Sequence, residues 1–465
     1  MEIGTVQIQT DQMRSYNLQL VVYHLLLLFV IIDAFFWSRE KLSKNDQTSS
    51  GSSLISPSDT CNGDSCSTLL VSELQHDSSN FKCILTLLTG MFKSNPPFIL
   101  QVTAYENGES DVGSGIEIML SEVDCRKDKL SSVVCSRLGK SSNCHIYSRT
   151  GQPLRRCSDL QSSDSIWLVP SDRLFIWPTF TPGTTVNVSR MQSPVDGEQI
   201  VLETIHLQPK VFRLYNFFSQ SEADQLMTNA LTATEEEFRL KRSSTGATGY
   251  HVDNVRTSEN AWDVSSPIAM AIKRRAFELL GVFPYDETLA DGLQLLRYNQ
   301  TTAYIDHLDW VDPVMGSKHN WESASADGTN RFATIVLYFS DVADGGETMF
   351  TNAMVDGSIE SAPSSFELDA QDEATTDEYL SQRNISHLFP EASWQRRMVA
   401  KCRSPRRLSV KPKNGEAVLF YSQLPDGAVD RMSLHGGCPV LDGIKVSCYG
   451  RTSKTYLPNN MHFDL

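Results

Sequence analysis

The octapeptide "AYIDHLDW", residues 303–310, sets a histidine and an aspartate two positions apart in an otherwise apolar and aromatic run. In an extended chain, residues i and i+2 point to one face, so His307 and Asp309 project together from a strand. Two polar groups on one face of a buried strand need partners, and the rest of the chain has to supply them.

Outward from that stretch the sequence reads as short strands. "GLQLLRYN" (292–299) precedes it, and "RFATIVLYF" (331–339) and "EAVLFYS" (416–422) follow, all rich in branched and aromatic residues. "RLFIWP" (173–178) and "QIVLETIHL" (199–207) have the same character. A helix is expected over 219–233, opened by a capping box of Ser219 and Glu222, with Ala223, Leu226, Met227, Ala230 and Leu231 at helical spacing. A second starts at Ser266-Pro267 and stops at Gly281. Two helices followed by a run of strands predict an α+β domain with a β-rich core.

At 465 residues the chain has room for roughly two to three domains. Its net charge of −15 argues against a general nucleic-acid binder, which needs a basic face. Residues 1–17 read as a tail. Residues 18–37, "LQLVVYHLLLLFVIIDAFFW", are long enough to span a bilayer and read as a signal anchor or signal peptide; no small-x-small cleavage site follows, which favours the anchor. Basic residues flank both sides (Arg14; Arg39, Lys41, Lys44), so charge does not set the orientation.

A Ser-rich linker occupies 38–60, and a cysteine-rich, loop-rich region is expected over 61–165. Seven of the ten cysteines lie between Cys61 and Cys157, which suits disulfides in an oxidising compartment; zinc is the rival, without a C-x₂-C pair to support it. Sequons at Asn187, Asn299 and Asn384 point the same way. The expected location is the endoplasmic reticulum or Golgi membrane, with the main domain in the lumen. Asn299, beside Tyr298 in the expected core, is expected to be unglycosylated.

An insertion at 355–408 has an acidic first half (356–380), with basic residues concentrated over 396–413. It reads as a solvated segment whose halves neutralise each other, or else as a lid.

His307 and Asp309 lack a third partner, and His435, in "RMSLHGGCPV" (431–440), is the candidate, held between a strand and a Gly-Gly turn. Together the three would form the two-histidine, one-carboxylate facial triad of non-haem Fe(II) oxygenases. Ten residues on lies Lys445, in "LDGIKVSCYG", placed to pair with the far carboxylate of a dicarboxylic cosubstrate. Tyr298 and Thr334 are polar groups on apolar strands, and the same carboxylate would satisfy them.

At this point the chain resembles a known family. "LQLLRYNQTTAYIDHLDW", "RFATIVLYFSDVADGGETMF", "KPKNGEAVLFYS" and "DRMSLHGGCPVLDGIK" are similar to the catalytic domain of the prolyl 4-hydroxylase alpha-subunit family. The match begins near "PKVFRLYNFFSQSEADQL", includes "VRTSENAWD", and runs to about residue 450. The resemblance implies a double-stranded β-helix (jelly-roll) domain over 205–455 using Fe(II), 2-oxoglutarate and O₂, with ascorbate as reductant and a proline-rich peptide or protein as substrate.

By position His307, Asp309 and His435 match the iron ligands. Lys445 matches the residue that pairs with the 2-oxoglutarate C5 carboxylate, and Tyr298 and Thr334 match that carboxylate's hydrogen-bonding partners. Arg256 and Tyr304 match positions near the substrate groove. Gly345, Gly346 and Glu347 match a GGET turn, expected to be architectural. The chain departs from the family at Thr301-Thr302, where Gly-Gln is usual, and at Val446 and Arg451, where tryptophans are usual. Those departures bear on cosubstrate affinity and substrate fit. Lysyl hydroxylation and a catalytically silent module for Pro-rich peptides are the alternatives; G-x-S-x-G, H-E-x-x-H and P-loop motifs are absent.

Overall fold

The computed structural model describes residues 99–455, apart from 111–114, 127–129, 141–143, 237, 244–255, 311–328 and 356–369. The apolar segment at 18–37, the linker at 38–60 and Cys61, Cys66 and Cys83 lie outside the described residues. Among those described, no helix is long and apolar enough to cross a membrane.

The chain first forms β1 (Ile99–Glu106), β2 (Ile116–Ser121), helix α1 (Leu130–Arg137), β3 (Cys144–Ser148), β4 (Pro153–Leu154) and β5 (Asp164–Pro170). These strands make one sheet, in the order β2-β1-β5-β3-β4, closed on one side by α1. Disulfides Cys125–Cys157 and Cys135–Cys144 tie its connections together. The expected loop-rich region is thus, over 99–165, a sheet with its own apolar core.

Next come β6 (Thr185–Asn187), β7 (Val201–His206), β8 (Val211–Tyr215), α2 (Gln220–Thr232), β9 (Lys241–Arg242), β10 (Glu259–Asp263) and α3 (Pro267–Leu279). Both helices begin as the sequence predicts. Ser219 and Glu222 cap α2 reciprocally, and the Ser266 hydroxyl accepts from the Ala269 amide at the start of α3. By contrast, "RLFIWP" forms no strand. Its amides are satisfied by side chains instead: Ile176 donates to Asn107 Oδ1 at 3.0 Å and Trp177 to the Tyr421 hydroxyl at 3.1 Å. Burial without a partner strand explains why its composition mimics one.

The remainder is β11 (Leu293–Tyr298), β12 (Tyr304–His307), β13 (Thr329–Tyr338), β14 (Asp344–Gly345), β15 (Thr348–Met354), α4 (Ala370–Gln382), α5 (Trp394–Arg403), β16 (Arg407–Val410), β17 (Glu416–Tyr421), β18 (His435–Gly437), β19 (Val440–Asp442) and β20 (Lys445–Thr455). A major sheet runs β6-β7-β8-β17-β13-β20-β11-β10-β9 and a minor sheet β12-β18-β15-β16, with β14 and β19 paired beside them. From β11 onward the chain passes between the two main sheets: β11, β13, β17 and β20 are in the major sheet, and β12, β15, β16 and β18 in the minor. That traversal is a jelly roll.

Side-chain alternation divides the core in two. Leu295, Ile335, Leu337 and Leu419 face outward to α2, α3 and the Trp167–Trp177 region. Leu296, Val336, Tyr338, Val418 and Phe420 face inward, toward Phe350 and Leu408 of the minor sheet. The period of 2 written in these strands is what opens a second, inner face for chemistry.

The charged insertion differs from a solvated loop. Residues 370–408 include α4 and α5, which bury Tyr379, Leu380, Phe389 and Val399 in a small core of their own. Disulfide Cys402–Cys438 fastens α5 to the residue after β18. Asn299 also departs from expectation: the strand ends at Tyr298, and Asn299 is exposed, as are Asn187 and Asn384.

Candidate metal and cosubstrate site

The minor sheet presents both histidines. His307 closes β12 and His435 opens β18, and the two residues are directly paired across the antiparallel ladder. Their rings stand 4.5 Å apart. Asp309 lies just beyond the end of β12 rather than on it, in a bend that still turns its carboxylate to the same side. One ligand atom from each of the three residues falls within 4.8 Å of the others. Thus His307 and Asp309 converge with His435, more than a hundred residues away in sequence.

Backbone carbonyls set the histidine tautomers. His307 Nδ1 lies 3.0 Å from Ile305 O, and His435 Nδ1 lies 2.9 Å from Ser433 O. A carbonyl only accepts, so each Nδ1 carries the proton and each Nε2 offers a lone pair toward the other ligands. His435 Nε2 is buried and has no hydrogen-bond partner. Burial, then His435, pushes His307 down to about 3, and burial lowers His435 as well. Burial would push the Asp309 carboxyl up, but Arg451, His435 and Arg331 together bring it well below the ordinary carboxylate range. At neutral pH the set is two neutral imidazoles and one carboxylate, the donor set that suits Fe(II).

Lys445 is fully buried at the first position of β20, opposite Tyr298 of β11. Its Nζ has no hydrogen-bond partner and lies 5.3 Å from the Tyr298 ring centre and 5.5 Å from that of Tyr338. Tyr298 reaches from Lys445 toward the ligands: a Cβ built on Gly437, two residues beyond His435, would stand 3.6 Å from its hydroxyl. A buried cation without a partner is costly, and an incoming carboxylate is the group that would satisfy it. The donors therefore fit both a divalent metal and a dicarboxylate.

Thr334 takes a different place from the one expected. Its hydroxyl donates to Asp309 Oδ2 at 2.6 Å, so it braces the carboxylate ligand. Arg256 and Tyr304 do come together, bridging backbone to backbone, with the Arg256 guanidinium 4.7 Å above the Tyr304 ring. That ring in turn lies 3.9 Å from the His307 ring. The GGET turn is architectural in the described geometry. Gly345 has φ +77°, a Cβ there would meet Pro439 O at 2.2 Å, and the Cys438 amide donates to Glu347 O at 2.8 Å. The turn thereby pins the chain just past His435.

Residues 293–451 match the model of the 2OG-Fe(II) oxygenase superfamily. Over that region the chain carries a 2OG-Fe(II) oxygenase domain, and its curated relatives are prolyl 4-hydroxylases. Among curated relatives, the oxygenase is similar to Probable prolyl 4-hydroxylase 3 of Arabidopsis thaliana, at 29% identity over 53% of this chain and 69% of that one. It is also similar to Prolyl 4-hydroxylase 5 of the same plant, at 28% identity over 54% and 70%. Among solved structures, the viral collagen prolyl hydroxylase of Paramecium Bursaria Chlorella virus-1, in a 2OG complex, matches with 17% identity and a TM-score of 0.31 over 53% of this chain and 96% of that one.

One residue of the oxygenase site was not assigned from sequence. Arg451 Nε lies 3.2 Å from Asp309 Oδ1. Its signal was available: Lys445 and Arg451 are an even number of residues apart on one strand and so share a face.

Proposed function

We propose that the protein is a peptidyl-proline 4-hydroxylase acting with Fe(II), 2-oxoglutarate and O₂, with ascorbate as reductant. One conjunction of features carries the reading. Two histidine Nε2 lone pairs and a carboxylate converge within 4.8 Å, and the same inner face of the jelly roll carries a buried lysine amine with no hydrogen-bond partner. Bound there, Fe(II) and 2-oxoglutarate supply O₂ activation, in which decarboxylation of 2-oxoglutarate to succinate and CO₂ accompanies hydroxylation of proline at C4.

The chain's own groups do the rest. His307, Asp309 and His435 would hold the metal with one ligand atom each, the donor set that suits Fe(II) and O₂ chemistry. Lys445 would hold the distal carboxylate, with the rings of Tyr298 and Tyr338 beside its amine keeping water from it. Arg256 keeps Nε and Nη2 without hydrogen-bond partners beside Tyr304. A proline-rich chain favours the polyproline II form, which aromatic side chains such as half-buried Tyr304 suit. Compartment and attachment follow the same line: disulfides in the N-terminal sheet region and within the domain, with three exposed sequon asparagines, support a lumenal site of action, with 18–37 as anchor.

The test is coupled product measurement on proline-rich peptides. Succinate and hydroxyproline should appear in equal amounts, and both should vanish in His307→Ala. Succinate tied to hydroxylysine would move the assignment to lysyl hydroxylation. Iron binding without either product would favour a silent binding module.

A further inference from the structure

Asp309 is held by more charge than a lone carboxylate ligand needs. Oδ2 accepts from Thr334 at 2.6 Å. Oδ1 accepts from Arg451 Nε at 3.2 Å and has Arg331 Nη1 at 3.5 Å. The two arginines are not equivalent. Arg331 Nε donates to Asp291 Oδ2 at 3.0 Å, so its charge already has a carboxylate beside it. Arg451 donates from Nη1 to the neutral Gln294 Oε1 at 3.2 Å, and among the described residues its ion-pair carboxylate is Asp309. Thr334 and Arg451 face each other across the β13–β20 ladder, so one register places both on Asp309. Arg451 is 5% exposed at its side chain, with little water to screen the pair.

The charge count follows directly. With both histidines neutral, the ligand set carries one negative charge, and Arg451 cancels it. We propose that Arg451 is a positioning residue, an internal counter-ion that holds the Asp309 carboxylate in place and that a divalent metal must work against, so that it sets the metal affinity of the site. The inference rests on reading the site as a divalent metal centre. Two buried cations sharing one carboxylate repel each other. Arg451 therefore stabilises the metal-free protein and weakens the metal-bound one.

The experiment uses the full chain and Mn(II), whose free-ion paramagnetic resonance signal is lost on binding and reports affinity without turnover. Arg451→Gln and Arg451→Met remove the charge, and Arg451→Lys keeps it. Expected are metal dissociation constants about tenfold lower in both neutral variants, and near that of the unaltered protein in Arg451→Lys. Metal-free neutral variants should also melt at lower temperature, with a larger metal-induced rise in Tm. Arg331→Gln, whose parent charge is paired with Asp291, should shift affinity far less. An unchanged or weaker affinity in whichever neutral variant folds overturns the proposal, as does an equal gain in Arg451→Lys. If the unaltered protein and every variant fail to bind Mn(II), the metal centre itself is refuted and this inference with it. Binding by all with equal affinity refutes the role of Arg451 alone.

Discussion

Lys445 is the residue whose chemistry reaches furthest beyond its own position. Burial pushes its amine down to about 8, partly opposed by Glu347. The ammonium is the form that pairs with a carboxylate. Binding of 2-oxoglutarate should thus be full below about pH 8 and weaken by about tenfold per pH unit above it, and Lys445→Arg, which stays charged, should flatten that profile. Titration of the metal-loaded protein with 2-oxoglutarate across pH checks both. Removing the ammonium altogether in Lys445→Ala leaves a buried carboxylate unpaired, a loss on the order of 3–5 kcal/mol. That corresponds to cosubstrate binding weaker by about two to three and a half orders of magnitude; an unchanged affinity would remove Lys445 from this role. These residues were legible in the sequence because spacing and local residue type reveal them: His-x-Asp, then His-Gly-Gly, then Lys ten residues on. Arg451 and the true partner of Thr334 were not, because both are defined by a contact between chain segments about 140 and 25 residues apart in sequence, which no local pattern records.

Elements were legible where caps and periodicity agreed, as in α2 and α3, and illegible where composition hid them. In α5, Met398 and Val399 are buried within "WQRRMVAKCR", a stretch whose charge reads as solvated. Its attachment is specific: Lys401 Nζ donates to Asp306 Oδ2 at 3.1 Å, one residue before His307, and Cys402 bonds to Cys438, three residues after His435. The helix thus contacts the segments flanking both histidine ligands. The Cys402–Cys438 bond closes a 36-residue separation, for which chain entropy predicts about 3–4 kcal/mol of stabilisation. Cys402→Ser should lower unfolding free energy by that order in denaturant titration, and hydrogen exchange should show the loss first in α5 and in β18. Loss confined to regions remote from the minor sheet would contradict the clamp. The failed strand at 173–178 teaches the reverse lesson. Aromatic and branched residues there report burial, and Asn107 and Tyr421 replace the neighbouring strand.

At the scale of the whole molecule, the N-terminal sheet and the jelly roll are not independent. One apolar cluster joins Tyr105, Tyr147 and Trp167 to Trp177, Phe277, Leu419 and Tyr421. Trp177 alone donates its amide to the Tyr421 hydroxyl and its indole N–H to Leu279 O at 2.9 Å. Trp177→Ala should therefore destabilise the whole chain by about 3–5 kcal/mol, as one transition shared by both regions in a thermal melt. Two separate transitions, with only the N-terminal one shifted, would show that the regions fold apart. The sequence suggested a boundary near residue 205, yet β7 spans Val201–His206 and pairs with β8, so a fragment beginning there severs a strand of the major sheet. A domain edge was hard to see because the residues that join the two regions are spread over more than 300 positions of sequence.

That shared interior has a consequence for inheritance. Modules linked by an exposed tether can be exchanged between lineages without regard to their neighbours, but Trp177 and its surroundings belong to both halves at once. Recombination that brought a foreign N-terminal sheet to this oxygenase would have to bring the matching faces of α3 and β17 with it. The two regions should therefore descend as a single heritable unit, changing by paired substitutions across their common interior rather than by replacement of either part.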